Sequence, residues 1–381
     1  AARSDNDLYV LYTGGTTGAP KGVVWRHVDI FFAAMGGGFR GADPIVHPDE
    51  IVDRIADEPQ RVLPASPLMH GTAHWFAFLT LFGGGTVVLS PDAALDAGRL
   101  LDLIDEESVT YLVVVGDAIA GPVADALDAE PERWDLSTLT VVLSGGATLS
   151  APVRRTLLHH LPWIVVVDSY GTSETGGQAS AVHAPGMGDR LPLRTFEPRG
   201  ETFVVDEDLR IVEPGSGVVG RIARRGHVPL RYHGDPQRSA ATFPTVAGER
   251  CAVTGDHATV DEQGRIVLLG RGSSTINSGG EKIHPDEVEA VLREHPAVHD
   301  AVVVGVHDPR WGERVTAVVA PRRGQVVSMR LLSEHCRARL ADFKTPKAVV
   351  LVDRVRRLES GKPDHRWARD LAERTGGVPT A

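Results

Sequence analysis

Residues 13–22 read TGGTTGAPKG, a run of glycines and threonines closed by one lysine. Such a run suits an anion. Glycines let backbone N–H groups approach a ligand with no Cβ in the way. Successive N–H groups form a concave nest for phosphate oxygens. Thr13, Thr16 and Thr17 add hydroxyls, and Lys21 adds a mobile positive charge. The run is not a Walker loop. Counting from Gly14, the second glycine falls on Ala19, Pro20 precedes the lysine, and Gly22 stands where a magnesium-binding hydroxyl belongs. A flexible surface turn is the plain alternative.

Other stretches carry similar chemistry. SGGA (144–147) and YGTSETGG (170–177) each follow an apolar run that reads as a buried strand. They therefore belong on the carboxyl edge of a sheet, where open α/β sheets bind ligands. TGD (254–256) reads as a turn. GRG (270–272), SGGEKI (278–283) and ESGKP (359–363) follow. The 16 histidines show no metal-ligand spacing, and the two cysteines, Cys251 and Cys336, lie far apart, which suits free thiols in a reducing compartment.

The elements that must position these stretches come in three styles. Up to residue 177, strand-like and helix-like runs alternate. Strands are expected at 8–12 (buried), 61–68, 86–89, 111–115, 141–143 and 164–167. Helices are expected at 30–35, 72–82, 99–107, 122–129 and 151–160. That alternation predicts a parallel sheet with helices on both faces. Residues 178–270 read as short strands with glycine and proline turns, an antiparallel or barrel-like subdomain. Residues 272–381 read as a compact α+β unit, with helices at 285–295 and 329–340 and strands at 302–304, 315–320 and 348–352. The expected division is 1–271 (1–177 α/β, 178–270 β-rich) and 272–381, with the boundary at 271–274.

The 381 residues suffice for two or three domains, and 42% hydrophobic with 24% charged residues is ordinary for a soluble globular protein. A net charge of -10 gives no reason to expect nucleic acid or an anionic membrane as a partner. No apolar run approaches a membrane span and the short polar start is no signal peptide, so a cytoplasmic protein is expected.

Taken in order, these motifs resemble the ANL superfamily of adenylate-forming enzymes: acyl-CoA synthetases, nonribosomal adenylation domains and luciferases. The resemblance covers the whole chain. The loop matches the family's phosphate loop, with Gly14 where serine is commoner. YGTSE resembles Y-G-x-T-E, with Ser173 in the threonine position. The resemblance implies ATP, Mg²⁺ and coenzyme A. Thr13, Gly14, Gly15, Thr16, Thr17, Gly18 and Lys21 would hold the β- and γ-phosphates. Gly145, Gly146, Ala147, Tyr170, Gly171, Thr172 and Ser173 would surround the nucleotide, with Tyr170 stacked on adenine. Glu174 would hold Mg²⁺, Asp256 would accept from the ribose hydroxyls, and Arg271 would sit near ribose and phosphates. Lys362 would bridge the substrate carboxylate and the α-phosphate, offsetting the repulsion between two anions. His70 resembles a gate beside the carboxylate. Plain structural roles stay open: core packing for Tyr170, a solvated acid for Glu174, a turn for Asp256, a surface cation for Arg271, a structural histidine for His70.

The reaction implied has two halves, an acyl-adenylate and then an acyl-CoA thioester. The family rotates its small, mobile C-terminal domain between them, which would bring Gly279 and Gly280 to the pantetheine. The hinge falls on Ser273, where aspartate or lysine is usual. Family members carry a further subdomain ahead of the phosphate loop, so a fragment with exposed apolar strand edges is expected. Residues 15–32 look similar to actinobacterial ligases for fatty acids or steroid side chains. Residues 83–85 and 111–117 would then line an apolar pocket or simply be sheet core. An adenylation domain loading a carrier protein and a catalytically incompetent fragment are the alternative readings.

Overall fold

Thr13 and Lys21 face each other across an antiparallel pair, β1 (Leu8–Thr13) and β2 (Lys21–Arg26), so the glycine–threonine run joins two strands of a hairpin. The structure, a computed structural model, describes residues 4–13, 20–37, 45–55, 57–92, 94–187, 194–358, 361–376 and 378–379. Gly14, Gly15, Thr16, Thr17 and Gly18 lie outside the described residues. The chain divides into two units. The first comprises Ala1–Leu149, Val153–Thr254 and Thr259–Val267; the second comprises Ser150–Pro152, Gly255–Ala258 and Leu268–Ala381.

In the first unit, β2 is the covered strand of the hairpin: Val23, Val24 and Trp25 are buried, and α1 (His27–Ala34) follows. The expectation of a buried strand at 8–12 is corrected. Leu8, Val10 and Tyr12 are 50%, 41% and 57% exposed, because β1 is an edge strand with one partner. Phe78, Leu81 and Phe82 are further exposed apolar residues of this unit.

The expected alternation follows: β3 (Arg61–Pro64), α2 (Gly71–Phe82), β4 (Thr86–Val87), α3 (Ala97–Glu106), β5 (Tyr111–Val114), α4 (Gly116–Ala129), β6 (Val141–Gly145), α5 (Ala151–His160) and β7 (Val165–Thr172). Strands β4, β3, β5, β6 and β7 are neighbours in that order and all parallel. Helix α3 shows why. Asp96 caps it by accepting the Arg99 N–H at 3.0 Å, and Leu100, Leu101, Leu103 and Ile104 form its buried stripe. Helix α4 begins six residues before the expected Pro122, which lies inside it. It starts at Gly116, φ +50, where a Cβ would overlap the Thr148 carbonyl.

After β7 the chain turns back. β8 (Gly176–His183) runs antiparallel to β7, followed by β9 (Thr195–Pro198), β10 (Thr202–Val205), β11 (Gly220–Arg224), β12 (Arg231–Tyr232), α6 (Pro236–Thr242), the hairpin β13 (Thr245–Val246) and β14 (Glu249–Arg250), β15 (Ala252–Val260) and β16 (Ile266–Arg271). Of the two expected arrangements, antiparallel or barrel-like, the antiparallel one is found: β8 with β9, β9 with β16 and β10 with β11 pair antiparallel, and the described strands do not close a barrel. They extend the parallel sheet, giving the order β10-β11-β15-β16-β9-β8-β7-β6-β5-β3-β4. Strand β12 leaves that sheet and pairs with β2, Tyr232 opposite Val23.

The second unit has β17 (Ile276–Ser278), β18 (Glu281–Ile283), α7 (Pro285–Arg293), β19 (Val298–Asp308), β20 (Gly312–Pro321), α8 (Met329–Arg337), β21 (Ala348–Leu351), α9 (His365–Thr375) and β22 (Val378–Pro379). Its sheet runs β18-β17-β20-β21-β22, with β19 also on β20. Helix α7 buries Val288, Val291 and Leu292, the stripe visible in the sequence. Helix α9, capped by Asp364 on the Trp367 N–H at 3.0 Å, packs Ala368 and Ala372 with Val302, Val304 and Val318.

Candidate active site

Strand β6 ends at Gly145, which pairs with Ser169 of β7, so the SGGA turn and Tyr170 lie on neighbouring strand ends. Gly146 has φ +83, and a Cβ there would sit 3.3 Å from Thr72 Oγ1. The bare backbone leaves room for a flat group to approach. Ala147 packs against the main core cluster. The Tyr170 ring is 6.1 Å from that of Phe196, tilted by 46°.

The YGTSETGG turn is built tightly. A Cβ on Gly171 would overlap the Gly176 carbonyl, so that glycine is demanded by the turn itself. Thr172 Oγ1 accepts the Glu174 N–H at 3.2 Å, and buried Thr175 donates to Gln178 Oε1 at 2.9 Å. From β11, Arg224 donates to the Gly177 carbonyl at 3.0 Å and to that of Thr175. Burial pushes the Arg224 guanidinium down to about 10, with Glu201 partly opposing.

The β1–β2 hairpin, with β12, grips this turn. Trp25 of β2 donates its indole N–H to the Ser173 carbonyl at 3.2 Å. Tyr232 of β12 donates its phenol to Glu174 Oε1 at 2.7 Å. Lys21 Nζ lies 5.6 Å from the centroid of the same tyrosine ring. Burial, then the Glu174 carboxylate, raises the Tyr232 pKa, so the phenol stays a donor. Three-stranded pairing thus brings Lys21 over the face of one buried ring whose hydroxyl holds Glu174. Sequence reasoning missed Tyr232 and Arg224. Neither sits in a recognisable motif, and Tyr232 is 58 residues from its partner.

His70 precedes α2, in a turn where its N–H donates to the Pro67 carbonyl at 3.0 Å. Below it, α2 supplies Thr72 and Trp75 to a cavity of about 940 Å³ that also meets Phe32, Gly146, Gly177 and His227. His227 stacks on Phe32 at 4.7 Å and is held by Asp29 at 2.9 Å. Residues 83–85 and 111–117 do not line this cavity. Leu112, Val113 and Val114 are sheet core, and a Cβ on Gly85 would lie 2.6 Å from the Gln60 carbonyl.

In the second unit, Arg271 Nε lies 3.3 Å from Asp256 Oδ1, so these two expected ribose-side residues meet. Gly279 and Gly280, φ +61 and +89, form the two-residue turn between Ser278 and Glu281. A Cβ on Gly279 would come 2.7 Å from Trp311 Cε3, while Gly280 faces open space. The backbone of Ser273 lies in a short 3-10 turn, Gly272–Ser274. Lys362 accepts the Leu358 N–H at 2.9 Å through its carbonyl.

The glycine turn at 145–146 beside Tyr170 fits a nucleotide. Glu174, oriented by a phenol beside a lysine-bearing hairpin, fits a hard cation that shares its ligands with phosphate. Among the described residues no group of three or more His, Cys, Asp or Glu is gathered to hold a metal alone.

Comparison with known proteins bears on the whole chain. Residues 1–231 match the family model of AMP-binding enzymes, and 287–362 that of the AMP-binding enzyme C-terminal domain. The chain is 44% identical over 376 residues to a medium/long-chain-fatty-acid–CoA/3-oxocholest-4-en-26-oate–CoA ligase of Mycolicibacterium smegmatis, covering 97% of this chain and 68% of that one. It is 42% identical to a 3-oxocholest-4-en-26-oate–CoA ligase of Rhodococcus rhodochrous, covering 97% and 67%. The crystal structure of ATP-bound MatB from Rhodopseudomonas palustris superposes with a TM-score of 0.77 at 26% identity, covering 97% of this chain and 69% of that one.

Proposed function

The chain belongs to the AMP-binding enzyme family, and from that premise we propose that it is an AMP-forming acyl-CoA synthetase for fatty or steroid-type carboxylic acids. The observation that carries the reading is the Lys21–Tyr232–Glu174 arrangement, set on a turn whose Gly171, Gly176 and Gly177 line a cavity of about 940 Å³. A cation and an oriented carboxylate there meet the needs of a nucleoside triphosphate with its metal.

In the first half-reaction a carboxylate oxygen attacks the α-phosphorus, the bond to the β-phosphate oxygen breaks, and pyrophosphate leaves. Lys21 and Thr13 hold the departing phosphates. Glu174 would hold Mg²⁺, which supplies charge neutralisation on the phosphate oxygens. Tyr170 and the 145–147 turn orient the base, and Asp256 with Arg271 serves the ribose. Lys362 holds the carboxylate against the α-phosphate, where a point cation stabilises the transferring group. In the second half-reaction the thiol sulfur of coenzyme A attacks the acyl carbon, AMP leaves, and the thiol proton passes to solvent. The Gly279–Gly280 turn serves this half, Gly280 offering bare backbone.

For the acid, the support lies in the names of the relatives and in the apolar wall of Phe32 and Trp75. Supplies of ATP and coenzyme A, with the two thiols Cys251 and Cys336 kept free, point to the cytoplasm. Among the described residues no helix is long and apolar enough to cross a membrane. The test is ATP–pyrophosphate exchange across fatty, aromatic and steroid carboxylates, followed by acyl-CoA formation. Exchange that depends on a fatty or steroid acid is expected. No exchange with any acid, or acyl transfer only to a phosphopantetheinyl carrier protein, would overturn the assignment.

A further inference from the structure

Four charged side chains of the second unit form one network, buried at its Glu289–Arg293 end and partly exposed at Asp300 and Arg357. Arg293 of α7 is 6% exposed and its partner Glu289 5%, with Nη2 to Oε2 at 2.8 Å. Arg293 Nε also meets Asp300 Oδ1 of β19 at 3.1 Å. The other oxygen, Asp300 Oδ2, takes Arg357 Nη2 at 2.7 Å. Backbone groups join the network. Glu289 Oε1 accepts the Val303 N–H at 2.9 Å, Arg293 donates to the Ala301 carbonyl at 2.7 Å, and Asp300 Oδ1 accepts the Ala301 N–H at 2.8 Å. Burial would raise the Asp300 carboxyl, but Arg293 and Arg357 outweigh it and hold it below the usual range. Two arginines, one aspartate and one glutamate cancel in charge.

Buried ion networks seldom stabilise a fold more than apolar side chains of the same volume would. The network's outer end suggests what it is for. Arg357 Nη1 donates to the Gly361 carbonyl at 2.9 Å, and that carbonyl belongs to the peptide unit entering Lys362. The peptide unit leaving Lys362 is held too, its carbonyl accepting the Leu358 N–H at 2.9 Å. Both peptide planes flanking the Lys362 Cα are therefore fixed, which sets its φ, its ψ and the direction of its Cα–Cβ bond.

We propose that Arg357, anchored through Asp300 to Arg293 and Glu289, is a positioning residue that aims Lys362 for adenylate formation. The inference rests on the role proposed above for Lys362. It gives a function to Glu289, the last glutamate of the stretch EKIHPDEVE (281–289), which the nucleotide chemistry leaves unused. Misplacing a catalytic group by about 1 Å costs on the order of 100-fold in rate.

The test uses the full chain with Arg357→Gln and Arg357→Lys. Two half-reactions are measured: ATP–pyrophosphate exchange, and thioester formation from supplied acyl-adenylate. Amide hydrogen exchange is followed in parallel at Leu358 and Gly361, whose N–H groups close the turn. With glutamine, adenylation should fall about 10- to 100-fold in kcat with KM for ATP little changed. The thioester half should stay within about twofold, and protection should drop at the two turn amides while β19 and β20 keep theirs. Lysine should restore part of the adenylation rate. Proportional loss in both half-reactions, unchanged adenylation, or protection lost across the unit would each overturn the proposal. If the wild-type chain shows no exchange with any acid, the enzymatic reading fails instead, and the turn amides alone decide whether Arg357 holds the turn.

Discussion

Replacing Tyr232 with phenylalanine removes one oxygen and little else. The ring is 4% exposed, in a cluster with Val23, Trp25, Phe243 and Ala252, and phenylalanine keeps those contacts. What is lost is a bond of 2.7 Å from the phenol to the Glu174 carboxylate, together with the bond between the phenol oxygen and the Thr242 hydroxyl. Hydrogen bonds to charged groups are worth about 1.5–3 kcal/mol, and water reaching the partly exposed Glu174 replaces some of that. A net loss of about 1.4 kcal/mol corresponds to roughly tenfold in affinity. Residues that orient a metal ligand typically change metal affinity about 10- to 100-fold, which agrees. The expected result is an apparent Mg²⁺ requirement raised about tenfold in ATP–pyrophosphate exchange at saturating ATP and acid. At saturating Mg²⁺, kcat should recover to within about threefold, and the melting temperature should fall by only a few degrees. A Mg²⁺ titration that superimposes on the wild type, with kcat alone reduced, would refute the orienting role of the phenol.

Lys362→Ala should cut adenylate formation by orders of magnitude while leaving thioester formation from supplied acyl-adenylate largely intact; equal loss of both would remove the lysine from its role. Gly279→Ala places a Cβ 2.7 Å from Trp311 Cε3 at φ +61, so it should cost about 1–2 kcal/mol, seen as a lower melting temperature, and slow the thioester half more than adenylation. A variant that melts with the wild type would contradict that turn geometry. Burial, then His257, lowers the His284 pKa to about 4 from an ordinary 6.5. The unfolded chain therefore takes up this proton first as pH falls. The stability tied to the neutral imidazole is fully present above about pH 6.5 and is lost progressively down to about pH 4; the shift corresponds to roughly 3 kcal/mol, which solvent screening of this partly buried group reduces to about 2 kcal/mol. Urea midpoints measured from pH 7 to pH 4 should fall less steeply in His284→Gln, and parallel curves for the two proteins would exclude this histidine as the source.

Local pattern carried far in this chain. The alternation of apolar runs with amphipathic stretches such as 99–107 and 285–295 foretold the parallel β3–β7 sheet and helix α7, because a helix stripe and a buried strand need only near neighbours to declare themselves. The glycine loops also announced themselves, since a backbone that must pass through positive φ or under a neighbouring carbonyl tolerates little else. Edges were less legible. Leu8, Val10 and Tyr12 read as core but are exposed, and the strands after residue 177 extend the existing sheet instead of closing a barrel. Which side of a strand finds a partner is settled by distant segments.

The sequence by itself set out the candidate chemistry: a glycine- and threonine-rich run with a lysine, an acidic turn, and a late lysine after Ser-Gly, in a fixed order. Tertiary structure alone decided how those parts are aimed. Tyr232 reaches Glu174 because a two-residue strand leaves the large sheet to pair with β2. Arg357 reaches the carbonyl before Lys362 because Asp300 anchors it from strand β19. Neither contact has a sequence signature. A hydrogen bond across 58 residues depends on where both backbones come to rest, and only the packed fold fixes that.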